Sequence, residues 1–185
     1  MRFDVIIIGG GRAGTEIGAA LQKSGINCLI VAKGLSINPS KRTEFVACGG
    51  TLLPGDSVVG GGFDGAVLKN VRTENLVGTV LEADFFVLAT GKFFSGGLVS
   101  TMDGIYEPVF GCDVQYEPDR EKWVNPDFYA DQPFERFGVV TDDSGRVSVN
   151  GVTIDNLYAA GEILAGAVDI DGSAALVTAQ IMGRK

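Results

Sequence analysis

The first apolar cluster of the chain, Val5-Ile6-Ile7-Ile8, has neither polar alternation nor helical spacing and is made of β-branched residues. A short run of this kind predicts a strand buried on both faces, as in a parallel sheet. Beyond four glycines at 9, 10, 11 and 14, apolar residues recur at helical spacing from Ala13 to Ser24, with Ala13, Ile17 and Leu21 on one face. Gly25 ends that stretch, and Asn27 to Ala32 reads as a second strand. A short polar connection from Leu35 to Ser40 contains Asn38-Pro39. It leads to a predicted helix from Ser40 to Ala47, with Ser40 as N-cap, Glu44 in its early turns and Gly49-Gly50 as its stop.

From Thr51 to Phe86 the pattern changes to short alternating runs cut by glycine and polar residues: Asp56–Val59, Ala66–Arg72 and Gly78–Glu82. These predict a β-meander. Asp84 to Ala89 is again apolar almost throughout and predicts a second buried parallel strand, closing at Thr90-Gly91. Residues 102 to 150 are irregular, with a predicted hairpin of Gly138–Asp142 and Arg146–Val149 around Asp143-Ser144-Gly145. Leu157 to Ala160 predicts a strand ending at Gly161-Glu162, and a last helix runs from near Gly172-Ser173 to about Met182. The fold class is therefore α/β. One domain, residues 1–185, is expected, built from residues 1–34 and 41–185 around the linker 35–40.

Gly9, Gly11 and Gly14 form G-x-G-x-x-G between a strand and a helix, the context in which that motif cradles a pyrophosphate. Gly9 makes the tight turn, Gly11 lets the backbone approach phosphate oxygens, and Gly14 and Gly18 let the helix pack close to the strands. The phosphates would sit on the free N–H groups at the positive end of the helix dipole, near Arg12 and Ala13. An acidic residue that takes the ribose hydroxyls is expected at the end of the second strand, where this chain has Ala32-Lys33-Gly34. The adenosine half of a dinucleotide is then held less specifically, or the ligand is a mononucleotide. Lys33 either favours an added phosphate or is simply solvated.

Composition narrows the chemistry. The net charge of −8 argues against nucleic acid or an anionic membrane as partner. No run reaches the ~20 apolar residues of a membrane span, so no direct membrane insertion is expected. Entry straight into a strand argues against a signal peptide. Cys28, Cys48 and Cys112 are odd in number and widely spaced, which suits a reduced, cytoplasmic protein without a disulfide or metal framework. The chain has no histidine. The commonest general base and metal ligand and any histidyl flavin link are thereby removed, so no metal site is expected and a bound cofactor is expected to be non-covalent.

Three further elements resemble two-dinucleotide-binding flavoproteins: Ala89-Thr90-Gly91 after a buried strand, Asn156-Leu157-Tyr158-Ala159-Ala160-Gly161-Glu162, and Gly172-Ser173-Ala174 opening a helix. The resemblance implies a Rossmann-like FAD/NAD(P)-binding fold, a parallel sheet with a β-meander crossover. It also implies that Glu162 binds the ribityl hydroxyls and that the Gly172-Ser173-Ala174 N–H groups face the flavin pyrimidine edge. Glu162, where many relatives have aspartate, looks like the succinate dehydrogenase/fumarate reductase branch. More particularly, Pro54-Gly55-Asp56, Phe93-Phe94-Ser95-Gly96-Gly97-Leu98-Val99, Asp103-Gly104-Ile105, Glu107-Pro108-Val109-Phe110-Gly111-Cys112-Asp113-Val114 and Gln132-Pro133-Phe134 with Phe137-Gly138-Val139-Val140-Thr141-Asp142 resemble the B subunit of anaerobic glycerol-3-phosphate dehydrogenase.

That resemblance implies FAD, or alternatively FMN. It also implies an FAD-containing A subunit and an iron–sulfur C subunit as partners at the inner membrane. The reaction would be oxidation of sn-glycerol 3-phosphate to dihydroxyacetone phosphate, with electrons passing toward quinone. Members of the family carry a large segment between the second strand and the helix near Arg42–Ala47, where this chain has only Gly34 to Lys41. The substrate domain is therefore expected to be absent, and a non-catalytic flavin-binding module with an assembly or regulatory role is the alternative reading. A weaker third reading rests on Gly9–Glu16, which resembles flavoproteins that modify tRNA.

Individual residues have bland alternatives. Glu162 is either a ribityl ligand or a solvated strand-end charge, and Thr90-Gly91 either a cofactor wall or an ordinary strand exit. Val58 could offer backbone groups to an adenine, and Arg12 either meets a phosphate or faces solvent. Phe93 and Phe94 lie against an isoalloxazine ring or in a core. Asp169 and Asp171 face the flavin or merely complement a helix N-terminus. Trp123 and the Tyr116–Tyr129 stretch suit an interface. No pair of residues reads as a catalytic acid and base.

Overall fold

A computed structural model describes residues 1–34, 39–166 and 169–185; most of the predicted connection, 35–38, lies outside the described residues. In chain order the regular elements are β1 (Arg2–Ile8), α1 (Arg12–Lys23), β2 (Cys28–Ala32), α2 (Pro39–Ala47), β3 (Thr51–Pro54), β4 (Val58–Asp64), β5 (Val67–Thr73) and β6 (Leu81–Leu88). They continue as β7 (Val99–Ser100), β8 (Ile105–Tyr106), β9 (Val114–Gln115), β10 (Gly138–Val139), β11 (Arg146–Val149), β12 (Val152–Ala159) and α3 (Ile170–Met182).

The main sheet runs β11-β12-β6-β1-β2-β3, and β12, β6, β1, β2 and β3 are mutually parallel. Alternation across the central strands explains why they read as apolar on every position. Val5, Ile7, Cys28, Ile30, Phe85, Val87 and Tyr158 turn to one face, where Ile17 and Leu21 of α1, Phe45 of α2 and Val177 and Ile181 of α3 cover them. Ile6, Ile8, Leu29, Val31, Phe86, Leu88 and Leu157 turn to the other, against Leu68 and Val71 of the meander and Leu98, Ile105, Phe110 and Val139 of the irregular region.

Asn156 locks the join between β5, β6 and β12. It is 6% exposed; its amide donates to the carbonyls of Leu68 and Asp84 at 2.8 Å each, and its Oδ1 accepts from Leu68 N–H at 2.9 Å.

Several boundaries differ from the sequence expectation. Thr51–Pro54 is not part of the meander but a parallel edge strand on β2, with Ala32 opposite Pro54; proline is tolerated there because an edge strand has no further neighbour to serve. Gly78–Glu82 and Asp84–Ala89 are not two strands. Leu81–Leu88 is continuous, antiparallel to β5 at its start and parallel to β1 throughout. Gly138–Val139 pairs with β9, whereas Arg146–Val149 pairs with β12; only the Thr141–Val147 bridge and the 142–146 turn remain of the predicted hairpin. Ser40 lies inside α2 rather than capping it, because the helix already includes Pro39. The last helix starts at Ile170, two residues early, because Asp169 is its N-cap.

Replacing Asn156 by leucine should orphan Leu68 N–H and two carbonyls and cost about 3 kcal/mol, read from urea unfolding. The side chain of the same Asp84 is held by Lys185, which bonds Asp4 at 2.5 Å and Asp84 at 2.7 Å. The Lys185 ammonium, together with the Asn27 N–H, holds the Asp4 carboxyl below its ordinary value. Its contribution is therefore complete above the ordinary carboxylate range and is lost as pH falls through the lowered value. The stability difference between wild type and Asp4→Asn, under about 1 kcal/mol for so exposed a pair, should vanish in acid.

Candidate functional site

The parallel register brings the carboxyl ends of the strands to one level. Ile8 lies opposite Val31 on one side and Leu88 on the other, and Leu88 in turn lies opposite Ala159. The exits are stitched together: Gly9 N–H donates to Val31 O at 2.8 Å, Ala89 N–H to Ile8 O at 2.8 Å, and Ala160 N–H to Leu88 O at 3.1 Å. Gly9–Gly14, Ala89–Gly91 and Gly161–Glu162 therefore leave the sheet side by side.

The glycine turn has the shape that a pyrophosphate needs. A Cβ on Gly14 would lie 2.1 Å from Gly9 O, and one on Gly9, whose φ is +114°, 2.2 Å from Ala89 O; both face unyielding backbone. A Cβ on Gly11 would meet nothing within 4 Å. The turn is thus closed beneath and open above the start of α1, where backbone N–H groups and the helix dipole favour an anion.

Around this cradle, Gly161 packs against Ala13, since a Cβ on it would lie 2.7 Å from the Ala13 Cβ, and its N–H donates to Ser173 Oγ at 3.0 Å. Ser173 Oγ in turn donates to Ile170 O at 2.9 Å. Glu162 is exposed, and its Oε2 lies 3.9 Å from where a Gly91 Cβ would be. Thr90 Oγ1 is buried without a hydrogen-bond partner among the described residues, 2.7 Å from where a Gly97 Cβ would sit. Thr90 therefore seals the strand exit against the Gly97 backbone.

One expectation needs correction. The Gly172 and Ser173 N–H groups are already taken, by Asp169 Oδ1 at 3.0 Å and Asp169 O at 2.9 Å, and Ala174 is buried in the next turn. These residues brace Gly161 and do not open the helix toward a ligand, and Asp169 serves as the cap. Arg12 faces solvent, as one of its two readings had it, and pairs there with the equally exposed Asp171 at 2.5 Å.

The remaining sequence candidates lie toward the β2 edge. Ala32 is buried beneath Gly10, while Lys33 and Gly34 are exposed at the end of β2. Val58 is buried at the start of β4, near the turn that Gly55 N–H ties to Ala32 O at 2.8 Å. Asp56 Oδ1 holds that turn through Ser57 and Asn75 N–H. Phe93 is half-buried against the core and Phe94 is fully exposed. Trp123 packs inward against Tyr116 and Phe137 with Arg120 over its ring; the exposed aromatics of that stretch are Phe128 and Tyr129.

One residue that sequence reasoning missed adjoins the site. Lys92 follows Gly91, is half-buried, and donates to the carbonyl of Glu135 in the 3₁₀ turn Pro133–Arg136. Burial pushes its ammonium below the ordinary value, partly offset by the charges of Glu162 and Glu135.

A parallel sheet whose strand exits surround a glycine turn at a helix N-terminus defines the class: an α/β protein that binds a nucleotide cofactor. Residues 42–172 match the FAD binding domain family, and the chain belongs to that family, with FAD as its cofactor. It is 42% identical over 135 residues to the B subunit of anaerobic glycerol-3-phosphate dehydrogenase from Vibrio cholerae, covering 72% of this chain and 31% of that protein. The chain thus spans about a third of the length of the curated relatives it matches. An oxidoreductase from Agrobacterium tumefaciens shares the fold at 15% identity, with a TM-score of 0.61 over 99% of this chain and 98% of that one. A thioredoxin reductase from Gloeobacter violaceus does so at 13% identity, with a TM-score of 0.58 over 97% and 94%. The open space over Gly11, the closed floor at Gly9 and Gly14 and the neighbouring Glu162 fit FAD.

Gly14→Ala should lower the melting temperature by several degrees, because its Cβ has only Gly9 backbone to move. Gly11→Ala, with open space above it, should leave thermal unfolding unchanged.

Proposed function

We propose that this chain is the cofactor-holding part of a flavin oxidoreductase subunit of the anaerobic glycerol-3-phosphate dehydrogenase B type. Gly9, Gly11, Ala13 and Gly14 cradle the pyrophosphate, with Arg12 at the rim. Ala32, Lys33, Gly34 and the backbone of Val58 border the adenosine. Ala89, Thr90 and Gly91 form the wall, Gly161 and Glu162 meet the ribityl chain, and Gly172, Ser173 and Ala174 brace the Gly161 turn. The observation that carries this reading is the stitched row of strand exits, with Gly11 open above α1.

Bound non-covalently, FAD supplies a two-electron acceptor. The chain's own contribution is to orient it: helix N–H groups hold the phosphates, and Glu162 accepts from the ribityl hydroxyls. The reaction in which such a subunit takes part is oxidation of sn-glycerol 3-phosphate to dihydroxyacetone phosphate, with electrons leaving toward quinone. FAD-containing and iron–sulfur subunits are its partners, and the complex is cytoplasmic and peripheral at the inner membrane. The segments on either side of 35–40 act as one flavin-holding unit.

A second reading, a non-catalytic flavin module with an assembly or regulatory role, is favoured by one observation: β2 ends at Ala32 and α2 begins at Pro39, with only six residues between them. Anaerobic mixing of the FAD-loaded protein with sn-glycerol 3-phosphate separates the two. Bleaching of the flavin band supports the oxidoreductase reading; a band that persists while dithionite still bleaches it supports the module. Gly11→Ala should weaken FAD binding about tenfold or more by placing a methyl where the phosphates go. Normal FAD affinity in that folded variant would remove the pyrophosphate from this turn.

A further inference from the structure

Arg12 is the first residue of α1 and directly follows Gly11, over which the glycine turn is open. A helical Cβ tilts toward the N-terminus of its own helix. The Arg12 side chain therefore sets out toward the end of α1 where the phosphates belong. Its guanidinium is then drawn across to α3, where it meets Asp171 Oδ2 at 2.5 Å.

Nothing in the packing calls for that pair. Asp169, not Asp171, caps α3, so the Asp171 carboxylate has no part in closing the helix. Arg12 and Asp171 are 58% and 65% exposed, and an ion pair between side chains so exposed contributes little to stability. Glu16 also lines the groove between α1 and α3, but it is engaged by Lys41 at 3.3 Å. Asp171 is thus the carboxylate to which Arg12 is drawn among the described residues. Carboxylate and phosphate make the same demand on a guanidinium, since both accept from its fork of N–H donors. They are rivals for one cation. The phosphates carry more charge than one carboxylate and are held by the helix N-terminus as well, so separating the weak pair is a small obstacle.

We propose that Asp171 competes with the phosphates of the flavin nucleotide for the Arg12 guanidinium and so sets the cofactor affinity below what the turn can reach. Asp171 acts through Arg12 and is a positioning residue. The inference rests on the pyrophosphate reading of the Gly9–Gly14 turn.

The test is FAD titration, followed by flavin fluorescence, on the whole chain as wild type, Asp171→Asn, Asp171→Glu, Arg12→Gln and the double variant, at low and high salt. Thermal unfolding of each variant without FAD accompanies it. Both side chains are exposed, so the melting temperatures should agree within a few degrees. Asp171→Asn should bind FAD about fivefold more tightly, Arg12→Gln about fivefold more weakly, and Asp171→Glu within about twofold of wild type. Adding Asp171→Asn to Arg12→Gln should change the affinity by less than about twofold. Both single effects should shrink at high salt. Equal or weaker FAD binding by Asp171→Asn would overturn the competition and leave the cofactor reading standing. So would the same gain in the absence of Arg12, which would make Asp171 a plain repelling charge. Normal FAD affinity in Gly11→Ala would instead take the pyrophosphate away from the turn, and the competition with it.

Discussion

The parallel alignment of β1 with its two neighbours is the constraint on which the site depends. With Ile8 level with both Val31 and Leu88, and Leu88 level with Ala159, the segments that follow must emerge in a row. A slip by one residue would reverse the faces of β1, sending Ile7 where Ile8 packs and breaking both hydrophobic layers at once. The core therefore fixes the register, and the register fixes the site.

The two faces of the sheet are covered by unlike materials. Helices α1, α2 and α3 cover one, packed closely enough that a Cβ on Gly18 would lie 2.8 Å from Ile30 Cδ1. The other is covered by the meander and by a region of short strands and 3₁₀ turns whose order depends on local carboxylates. Glu107, 1% exposed, accepts from the N–H groups of Val109, Phe110 and Cys112, and Asp142 organises its own turn through Ser144 and Arg146. Such irregular backbone is tolerated in a core because its N–H groups are satisfied by these side chains.

Much of this was legible in the sequence because parallel strands and the glycine turn leave local marks. The runs Val5–Ile8 and Asp84–Ala89 announced double burial, and G-x-G-x-x-G between strand and helix announced the tight turn that opens α1. What was not legible depends on distant neighbours. Thr51–Pro54 looks like the start of a meander until β2 is seen beside it. The polar Asp84 seems to break β6, yet Arg2 and Lys185 reach it from outside the strand, so the strand runs on. Gly172-Ser173-Ala174 suggested exposed N–H groups, but Asp169 had already claimed them. Lys92 carries no motif; its environment comes from Glu135, more than forty positions later.

The contact between Gly10 and Ala32 bears on how this site could change over evolution. A Cβ on Gly10 would lie 2.7 Å from the Ala32 Cβ, and Ala32 is only 3% exposed. Position 32 is where a ribose-binding carboxylate would be placed, but any longer side chain there must first find room beside the backbone of the phosphate turn. Acquiring tight adenosine recognition is thus not one substitution away. It requires the turn and the strand to move together, and the path to a more selective nucleotide site passes through a less well-packed intermediate.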